Sequence, residues 1–453
     1  MARIETSLDE RALADAGRVM RRLLPRTAHA AYESAPDRDP LGILRAQQST
    51  RLQWLIDLRL ERMSASPFAF YRGTAAIQAA DLRAGPDTGA EVVICGDAHV
   101  SNFGLYRSPE NAMVFDINDF DESGVGPWEW DLKRLLCSIV LAGRSIDLTA
   151  DQIRAAVTAA GATYRDGIAE TLRRPLFERY FTPTDMGRRR ILSADSEKMI
   201  KRTMKESEKR TSGRVAQRSL EADDDGGLRF VEQPPVLTRV EPDVRALVDE
   251  VFDRYRSTLP PNIALLTSQY RIIDVARRVV GVGSVGTRCF IIALADPVGD
   301  PLILQLKEAN RSVVEEFGGV QPVPGYLDLN LLPAQQGYRV VASQRILQAV
   351  SDPFLGYLNV EDYSFYMRLF RNRNASFDIS LMNLTQFSEY GQACALVLAR
   401  AHARSPKAAF IAGYIGAGDA FVDAVTEWAH AYAAQAEADY ALFVDAVRRG
   451  WTH

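Results

Sequence analysis

The spacing of apolar residues predicts helices first and a buried strand after them. From Leu41 to Met63 apolar side chains recur at helical spacing, and "TAAIQAADLRAG" predicts a second, shorter helix that ends at Gly85 and Pro86. The run "EVVICG" that follows is short and almost wholly apolar, which is typical of a buried strand. A polar, acid-rich loop comes directly after this strand.

Beyond that loop the pattern is helical from Trp130 to about Gly167, and again, with many charges, from Arg188 to Gln217. The turn-forming strings "EADDDGG" and "EQPPV" predict a boundary between residues 220 and 240. An amphipathic helix is expected around Val244 to Thr258. These features mark the end of an N-terminal, mostly helical part.

A strand-rich block comes next. The stretch "YRIIDVARRVVGVGSVGTRCFIIALADPVGDPLILQLKEA" contains β-branched runs separated by turn signals, and predicts consecutive strands. The last third of the chain is mostly helical, including "YGQACALVLARAHARS" and a long Ala-rich segment. No repeat of solenoid length is present. The order of elements predicts an α+β protein.

The amino-acid composition narrows the class of protein. The 453 residues are 47% hydrophobic with a formal net charge of -4, so a large core is expected and an overall basic field is not. We expect no nucleic-acid partner, although Arg188 to Arg218 is locally basic. Four Cys without CxxC spacing favour free thiols in a reducing compartment. Neither an apolar signal core nor a long apolar span is present, which predicts a cytoplasmic protein without a membrane partner.

The acid-rich loop carries the first candidate chemistry. In "GDAHVSNFGLYRSPENAMVFDINDFDES", Asp97 is followed five residues later by Asn102, and Asp119 follows a second predicted strand. A phosphotransferase needs an Asp that orients an attacking hydroxyl, together with hard oxygen ligands for Mg²⁺. Asp97 fits the first role, and Asn102 with Asp119 fits the second. Asp116 and Asp121 are further candidate metal ligands.

Two other interpretations fit parts of this loop. Its acids could be surface carboxylates beside a turn, although so many acids in one strand-loop-strand unit would repel one another without a cation. A metallophosphoesterase also begins with a G-D-x-H element, but its two-metal centre needs several further His ligands. The chain has no "GNH" segment, and its histidines are His29, His99, His402, His430 and His453.

A glycine-rich turn lies in the strand-rich block. Gly281, Gly283, Ser284 and Gly286 fall between two predicted strands, and Lys307 lies on a third. Glycines let the backbone approach phosphates, and a Lys on a nearby strand can neutralise them. An ordinary hairpin has much the same composition, so the turn gains weight only from Lys307 and the acidic loop.

The segment "GDAHVSN" resembles the catalytic loop of aminoglycoside and choline phosphotransferases, which are relatives of protein kinases, and "DFDESGVGPWEWDL" resembles their metal-binding segment. The resemblance implies Asp97 as catalytic residue, Asp119 as metal ligand and Asp131 as a structural residue. Cys95 departs from the pattern, because many relatives have His there. The roles of Asp116 and Asp121 are not implied.

The catalytic motif precedes the glycine loop, the reverse of the order in ordinary kinases, which predicts a circularly permuted, two-lobed, protein-kinase-like fold. We expect a helical large lobe in residues 1–264, an antiparallel small lobe in 265–375 and returning helices in 376–453. The strings "FAFYRGTA", "CGDAHVSNFG", "VVGVGSVGTRCF", "LQLKEA" and "LARAHARS" together resemble the bacterial family labelled domain of unknown function 2252.

Several further residues are candidates. Arg72 precedes the buried strand and could bind substrate or phosphate, or stack on the neighbouring aromatic rings. His99 could contact substrate or stay structural. Glu315, Glu316 and Gln344 are candidate partners of Lys307.

The sequence therefore predicts an ATP- and Mg²⁺-dependent phosphotransferase, with Mn²⁺ able to replace Mg²⁺, acting on an unidentified hydroxyl-bearing small molecule or protein. Two alternatives remain open at this point. The same groups could transfer AMP if the nucleotide were bound in reverse, or the protein could bind nucleotide without catalysis.

Overall fold

The computed structural model describes residues 9–110, 112–183, 193–208, 212–222, 227–279, 281–370 and 375–451. Helices dominate both ends of the described chain. The α-helices are α1 Glu10–Leu23, α2 Pro40–Ser49, α3 Ile56–Ser64, α4 Pro67–Arg72, α5 Ala75–Leu82, α6 Trp128–Ser145, α7 Ala150–Leu172, α8 Leu176–Phe181, α9 Ala194–Ser207, α10 Ser212–Ser219, α11 Pro242–Ala246, α12 Val248–Arg256, α13 Pro261–Thr267, α14 Val313–Glu316, α15 Gln336–Leu347, α16 Leu384–His402, α17 Ala408–Ile415 and α18 Ala420–Arg448.

The strands form small antiparallel sheets. They are β1 Glu91–Ile94, β2 Phe103–Arg107, β3 Met113–Ile117, β4 Gly124–Pro127, β5 Leu220–Ala222, β6 Leu228–Phe230, β7 Leu237–Arg239, β8 Arg271–Arg278, β9 Cys289–Ala295, β10 Pro301–Glu308, β11 Gly356–Val360 and β12 Tyr363–Leu369. Every strand-to-strand ladder in the described ranges is antiparallel. Helices and antiparallel strands occupy separate stretches, as the α+β class requires.

The largest sheet has six strands in the order β11-β12-β10-β9-β8-β7. Alternation along the strands gives it two faces. One face packs Ile292, Leu304 and Leu306 against Phe252 and Tyr255 of α12. Lys307 follows Leu306 directly, so its side chain lies on the opposite face. That face is turned toward the first part of the chain.

The main core belongs to the helices. Every residue of α6 from Trp128 to Gly143 is buried, and this helix packs against α7, α16 and α18. The Trp128 ring stacks on Tyr164 of α7 with a centroid separation of 5.8 Å. Burying each large apolar side chain here stabilises the fold by about 1.5–3 kcal/mol. The core therefore fixes α6, and with it the segments that lead into α6.

Two strand pairs place the acid-rich segments. Ile94 at the end of β1 pairs with Gly124 at the start of β4. Phe103 at the start of β2 pairs with Ile117 at the end of β3. Because these pairs enclose both connecting loops, residues 95–102 lie next to residues 118–123. We call these loops the catalytic segment (95–102) and the acidic segment (118–123).

The structure confirms several predicted elements and corrects others. The strand in "EVVICG" and the helix in "TAAIQAADLRAG" are present as β1 and α5. The single helix expected from Leu41 to Met63 is wrong, because α2 ends at Ser49 and α3 begins at Ile56. The N–H of Leu52 donates to the carbonyl of Gly286 at 2.8 Å, a contact that a continuous helix would forbid.

The charged stretch from Arg188 to Gln217 contains α9 and part of α10 within the described residues, while residues 188–192 and 209–211 lie outside them. The helix expected around Val244 to Thr258 is divided into α11 and α12. Among the described helices none meets, by itself, the length and hydropathy that crossing a membrane requires; α17 and α18 meet them only as a pair bent by 93°.

Candidate active site

The catalytic and acidic segments form one wall of a polar cleft. The Asn102 side-chain amide donates to the Asp97 carbonyl at 2.7 Å, and the N–H of Asn118 donates to the Asn102 carbonyl at 2.8 Å. Gly96 has φ +77°, and a Cβ there would lie 1.9 Å from the carbonyl oxygen of Glu122. Only glycine allows so close an approach. The two segments are thus held together by their own backbones.

Asp97 is held by a buried arginine. Arg134 of α6 donates from Nε to Asp97 Oδ1 at 2.7 Å, and its other nitrogens bind the Tyr71 carbonyl and Gln78. The second carboxylate oxygen, Oδ2, lies 3.8 Å from His99 Nε2. Burial raises the pKa of Asp97, while Arg134 opposes the shift. One oxygen of Asp97 is therefore fixed and the other stays available to a substrate hydroxyl.

Asp131 binds the backbone of the catalytic segment. Its carboxylate accepts from the backbone N–H groups of Cys95 at 2.7 Å and of Gly96 at 2.9 Å, and His402 Nε2 lies 3.3 Å away. Its contacts are with backbone and a buried imidazole. It positions the loop that carries Asp97.

The acidic segment meets Lys307 from the six-stranded sheet. Lys307 Nζ forms an ion pair with Asp121 and lies 3.7 Å from Asp119 Oδ1. Burial would lower the pKa of Lys307, but Asp119 and Asp121 outweigh it and raise that pKa. Burial would likewise raise the pKa of Asp121, and Lys307 with Tyr366 holds it below its usual value. Lys307 and Asp121 therefore stabilise each other's charged forms.

Asp121 joins the acidic segment to two further parts of the sheet. Tyr366 of β12 donates its hydroxyl to Asp121 Oδ1 at 2.7 Å, and Ser284 Oγ lies 3.4 Å from Asp121 Oδ2. The Asp119 carboxylate accepts from the N–H of Asp121 at 3.3 Å, and its pKa is raised by burial and by the neighbouring Asp121. The two acids are thus unequal: Asp121 is occupied within the protein, and Asp119 is open to the cleft.

The glycine loop (Gly281–Thr287) lies opposite the acidic segment and connects β8 to β9. Two of its carbonyl groups are bound by the N-terminal part of the chain: Arg62 of α3 donates to the carbonyl of Gly281 at 2.5 Å, and Arg51, between α2 and α3, donates to that of Val285 at 2.6 Å. The N–H groups of Gly283 and Ser284 donate to no acceptor among the described residues. Free N–H groups on a glycine loop suit phosphate oxygens.

The structure brings most predicted site residues to this cleft. Those that line it are Asp97, His99, Asn102, Asp119, Asp121, Arg72, Gly281, Gly283, Ser284 and Glu316. Gly286 belongs to the glycine loop, and Lys307 of β10 contacts Asp119 and Asp121. These groups come from three separate regions of the sequence.

Asp116 is not brought to the cleft. It lies within β3, and its carboxylate accepts from the N–H of Ile117 at 2.9 Å. Burial raises the pKa of Asp116 to about 6, and Arg404 opposes the shift from the side away from the cleft. Its place in the strand, rather than in the loop beyond it, prevents it from joining Asp119 as a metal ligand.

The predicted partners of Lys307 are also corrected. Glu315 accepts from Arg311 Nε at 3.4 Å, and the side-chain amide of Gln344 donates to Gln348 at 3.0 Å. Glu316 lines the cleft without an ion pair to Lys307 in the described residues. Asp121 is the ion-pair partner of Lys307, because the acidic segment lies closer to Lys307 than the side chains of α14 and α15 do.

Sequence reasoning missed three residues. Arg134 fixes Asp97, Tyr366 holds Asp121, and Arg339 of α15 donates to the carbonyls of Asp121 and Asn310, each at 2.8 Å. Only Arg134 had a sequence signal, since a charged residue that adjoins the apolar run "LLCSIVLAG" of α6 needs a partner when it is buried. The other two depend on how the sheet meets the acidic segment.

The donor set of the cleft meets the needs of Mg²⁺. The side-chain amide nitrogen of Asn102 is engaged with Asp97, which leaves its oxygen free, and Asp119 presents a carboxylate beside it on the same wall. No group of three or more His, Cys, Asp or Glu in the described ranges could hold a metal by itself. Mg²⁺ usually takes one or two protein oxygens and completes its shell with phosphates and water. Asn102 and Asp119 fit that requirement.

The chain belongs to a bacterial protein family. The family model described as "Uncharacterized protein conserved in bacteria (DUF2252)" matches residues 51–446, a range that includes both wall segments, the glycine loop and Lys307. This confirms the family expected from the sequence. Searches of curated proteins and of solved structures found no match.

Proposed function

We propose that this protein is an ATP- and Mg²⁺-dependent phosphotransferase with a permuted, protein-kinase-like arrangement of two lobes. The observation that carries the proposal is the meeting of Lys307 with Asp119 and Asp121, although Lys307 and Asp121 are 186 residues apart in sequence. In protein kinases a Gly-rich loop, a Lys on the third strand and a metal-binding Asp share one nucleotide site.

The sheet supports the same assignment. The glycine loop connects β8 to β9, and Lys307 lies on β10, the next strand along both the chain and the sheet. The helix α15 then separates β10 from β11, and its Arg339 binds the backbone of the acidic segment. The relative order of the motifs is what circular permutation would produce, with α16 and α18 returning to pack on α6.

Each group has a defined part in the transfer. Lys307 and the free N–H groups of the glycine loop bind nucleotide phosphates, and Asp97 Oδ2 accepts a hydrogen bond from the acceptor hydroxyl. A bond forms from that hydroxyl oxygen to the γ-phosphorus as the bond to the ADP oxygen breaks, and the hydroxyl proton leaves through Asp97. Mg²⁺, held by Asn102 and Asp119, would neutralise charge on the phosphates.

The ion pairs of Lys307 imply that its contacts change when nucleotide and Mg²⁺ bind. Its ammonium is paired with Asp121 and lies near Asp119, so it neutralises carboxylates that would otherwise repel both one another and a nucleotide. Asp119 would hold Mg²⁺, whose charge would neutralise this carboxylate, and Lys307, kept oriented by Asp121, would then bind phosphate oxygens.

Labelled nucleotides test the reaction. Purified protein is incubated with Mg²⁺ and a metabolite extract, using ATP labelled on the γ-phosphate in one reaction and on the α-phosphate in the other. Transfer of the γ label alone supports phosphotransfer. Transfer of the α label would establish AMP transfer, and tight ATP binding with neither label transferred would establish a binding module. Both of those results contradict the proposal.

A further inference from the structure

Arg72 is a cleft cation that the proposed transfer does not use. It ends α4 and is half-buried on the cleft wall. Its Nε is buried without a hydrogen-bond partner, and no carboxylate in the described residues lies within ion-pair distance of it. Burial lowers the pKa of Arg72, and Asp97 and Asp119 oppose the shift. A buried guanidinium nitrogen without a partner is costly, so a ligand is the natural explanation.

The structure fixes Arg72 beside Asp97. Arg134 donates to the carbonyl of Tyr71 and to Asp97 Oδ1, each at 2.7 Å, so one buried guanidinium links the catalytic residue to the neighbour of Arg72. The Arg134 guanidinium also stacks 3.9 Å from the centroid of the Tyr71 ring. The position of Arg72 relative to Asp97 is therefore built into the fold.

The other charged groups of the cleft are mostly committed to partners. Asp97 pairs with Arg134, Asp121 with Lys307, and Glu308 with Arg288. Glu122 accepts from the N–H of Val313 at 2.8 Å, and Glu316 lines the cleft with a pKa raised by burial. Within the part of the chain that the structure describes, none of these acids forms an ion pair with Arg72.

Two more groups without full partners line the cleft. His99 is buried, its Nδ1 has no partner among the described residues, and its pKa lies well below the usual value because of burial and of Arg72 and Arg134. Its unpartnered ring nitrogen can exchange a hydrogen bond with a substrate. Arg51 binds Val285 with one nitrogen at 2.6 Å, while its buried Nε is left without an acceptor in the described ranges.

The cleft thus offers cations from two parts of the chain. Lys307 comes from the sheet with the glycine loop, where the nucleotide phosphates are proposed to bind. Arg72 and His99 come from the N-terminal part with Asp97, where the acceptor hydroxyl must be held, and the Arg72 backbone lies against Gly283 of the glycine loop. A planar guanidinium binds phosphate or carboxylate oxygens in pairs, which fixes orientation as well as charge.

We infer that Arg72 and His99 form an acceptor subsite for an oxyanion, so that the substrate is a hydroxyl compound that also carries a phosphate or a carboxylate group. The inference rests on the proposed function, because it assigns the acceptor of that reaction. Arg51 adds positive charge from the rim near the glycine loop. Neutral alcohols would lack the group that Arg72 is placed to bind.

The test is a titration with inorganic phosphate in the presence of Mg²⁺ and saturating β,γ-imido ATP, which fills the γ-phosphate position. We expect the parent protein to bind phosphate and Arg72→Gln to bind it at least about tenfold more weakly, the loss of one charged hydrogen-bond partner. Arg72→Lys, which keeps the charge but loses the planar fork, is expected to fall between them.

Arg311→Gln is the matched control. Arg311 lines the same cleft and pairs with Glu315 at 3.4 Å, so its loss removes an equal charge without removing the subsite. Equal weakening in Arg72→Gln and Arg311→Gln would overturn the inference, because only general charge would then matter. Failure of the parent to bind phosphate at millimolar concentration would overturn it as well.

Nucleotide binding separates the inference from the proposed function. Arg72→Gln is expected to keep the parental affinity for Mg²⁺ and β,γ-imido ATP. A loss of nucleotide affinity equal to the loss for phosphate would place Arg72 at the γ-phosphate and contradict the subsite. If no nucleotide binds at all, the proposed function fails, while phosphate binding that depends on Arg72 in the nucleotide-free protein would still support the subsite.

Discussion

The two sides of the cleft are built differently. On the helical side, Asp97 is fixed by Arg134 and the backbone of its loop is fixed by Asp131, so the geometry is set by buried hydrogen bonds. On the sheet side, the glycine loop has two of its carbonyl groups bound by Arg62 of α3 and by Arg51, which lies between α2 and α3. The N–H groups of Gly283 and Ser284 have no such partners among the described residues.

Under the proposed function, this difference assigns different tasks to the two sides. The helical side holds the groups whose position decides the reaction, and rigidity favours them. The sheet side holds the groups that bind phosphate, and its position depends on contacts with a third region, residues 51–62. Asp121 is the point where the sides meet, since it binds both Lys307 and Tyr366. Substitutions on each side test this division, and we take them in order of decreasing effect on phosphoryl transfer.

The largest effect is expected at Asp119. Replacing it with Ala removes a carboxylate ligand and its charge, worth several kcal/mol, so Mg²⁺-dependent transfer should fall by about 10³-fold or more. Asp116→Ala is the matched control, because that carboxylate lies outside the cleft and should leave transfer near the parental rate. If folded Asp119→Ala protein transferred the phosphoryl group at the parental rate, Asp119 would not be a metal ligand.

Asp97→Asn tests the helical side of the cleft alone. The Asn oxygen can still accept from Arg134, so the fold and the nucleotide affinity should be kept. Transfer should slow by roughly 10²- to 10⁴-fold, the usual contribution of a positioned acid or base. The measurement is a single-turnover rate with saturating nucleotide. A parental rate in this variant would show that Asp97 takes no part in the reaction.

Lys307→Ala tests the phosphate-binding side. Losing one charged hydrogen bond of about 1.5–3 kcal/mol should weaken Mg²⁺-dependent ATP binding by about 10- to 100-fold. Lys407→Ala is the control, since Lys407 lies outside the cleft. Its Nζ lies 3.5 Å from Glu91 Oε2, with which it forms an ion pair. Calorimetric titration compares the two. Equal affinities in both variants would contradict the assignment of Lys307.

Gly286→Ala tests the dependence of the glycine loop on the N-terminal helices. Gly286 has φ +92°, and a Cβ there would lie 2.9 Å from the Arg51 Cβ. Gly299 has a similar φ of +91° with nothing within 4 Å. Each Ala variant should lose about 1 kcal/mol or more of stability through backbone strain, and only Gly286→Ala should weaken ATP binding as well, by a few-fold. Equal ATP affinities would contradict the dependence.

The smallest effect on transfer is expected at Glu129, which is buried in the helical core. Burial is the first cause that raises the pKa of Glu129 to about 7, and its carboxylate accepts from Thr88 Oγ1 at 2.6 Å. A raised carboxyl pKa stabilises the fold below the unfolded value of 4.5, and that stability is lost as pH rises toward 7.

Glu129→Gln should therefore flatten the fall in the free energy of unfolding between about pH 4.5 and 7, by at most about 3 kcal/mol, without changing transfer. Denaturant titrations at several pH values measure this slope. An unchanged slope in the variant would show that Glu129 ionises normally in the folded protein.

The sequence predicted the local elements of the site better than their partners. Apolar runs identified β1, β8, β9 and β10, and the spacing of Asp97 and Asn102 placed both in one loop. Short-range signals suffice for such features because strand alternation and turn chemistry act over a few residues.

The remaining features depend on long-range packing. The ion pair of Lys307 with Asp121 requires the sheet to meet the acidic segment, and no local pattern encodes that contact. The same holds for the break between α2 and α3, where Leu52 binds the Gly286 carbonyl. Asp116 is a candidate metal ligand by sequence, but it lies within β3 while Asp119 lies in the loop beyond it, and the two carboxylates face different surroundings.

The central claim is that the glycine loop with Lys307 and the acidic segment with Asp119 form a single nucleotide site. The most direct test is an experimental structure of the protein with Mg²⁺ and β,γ-imido ATP. We predict that the triphosphate contacts Lys307, with Mg²⁺ on Asn102 and Asp119 and the glycine loop over the phosphates. A nucleotide bound elsewhere, or phosphates that contact neither Lys307 nor the metal at Asp119, would contradict the account.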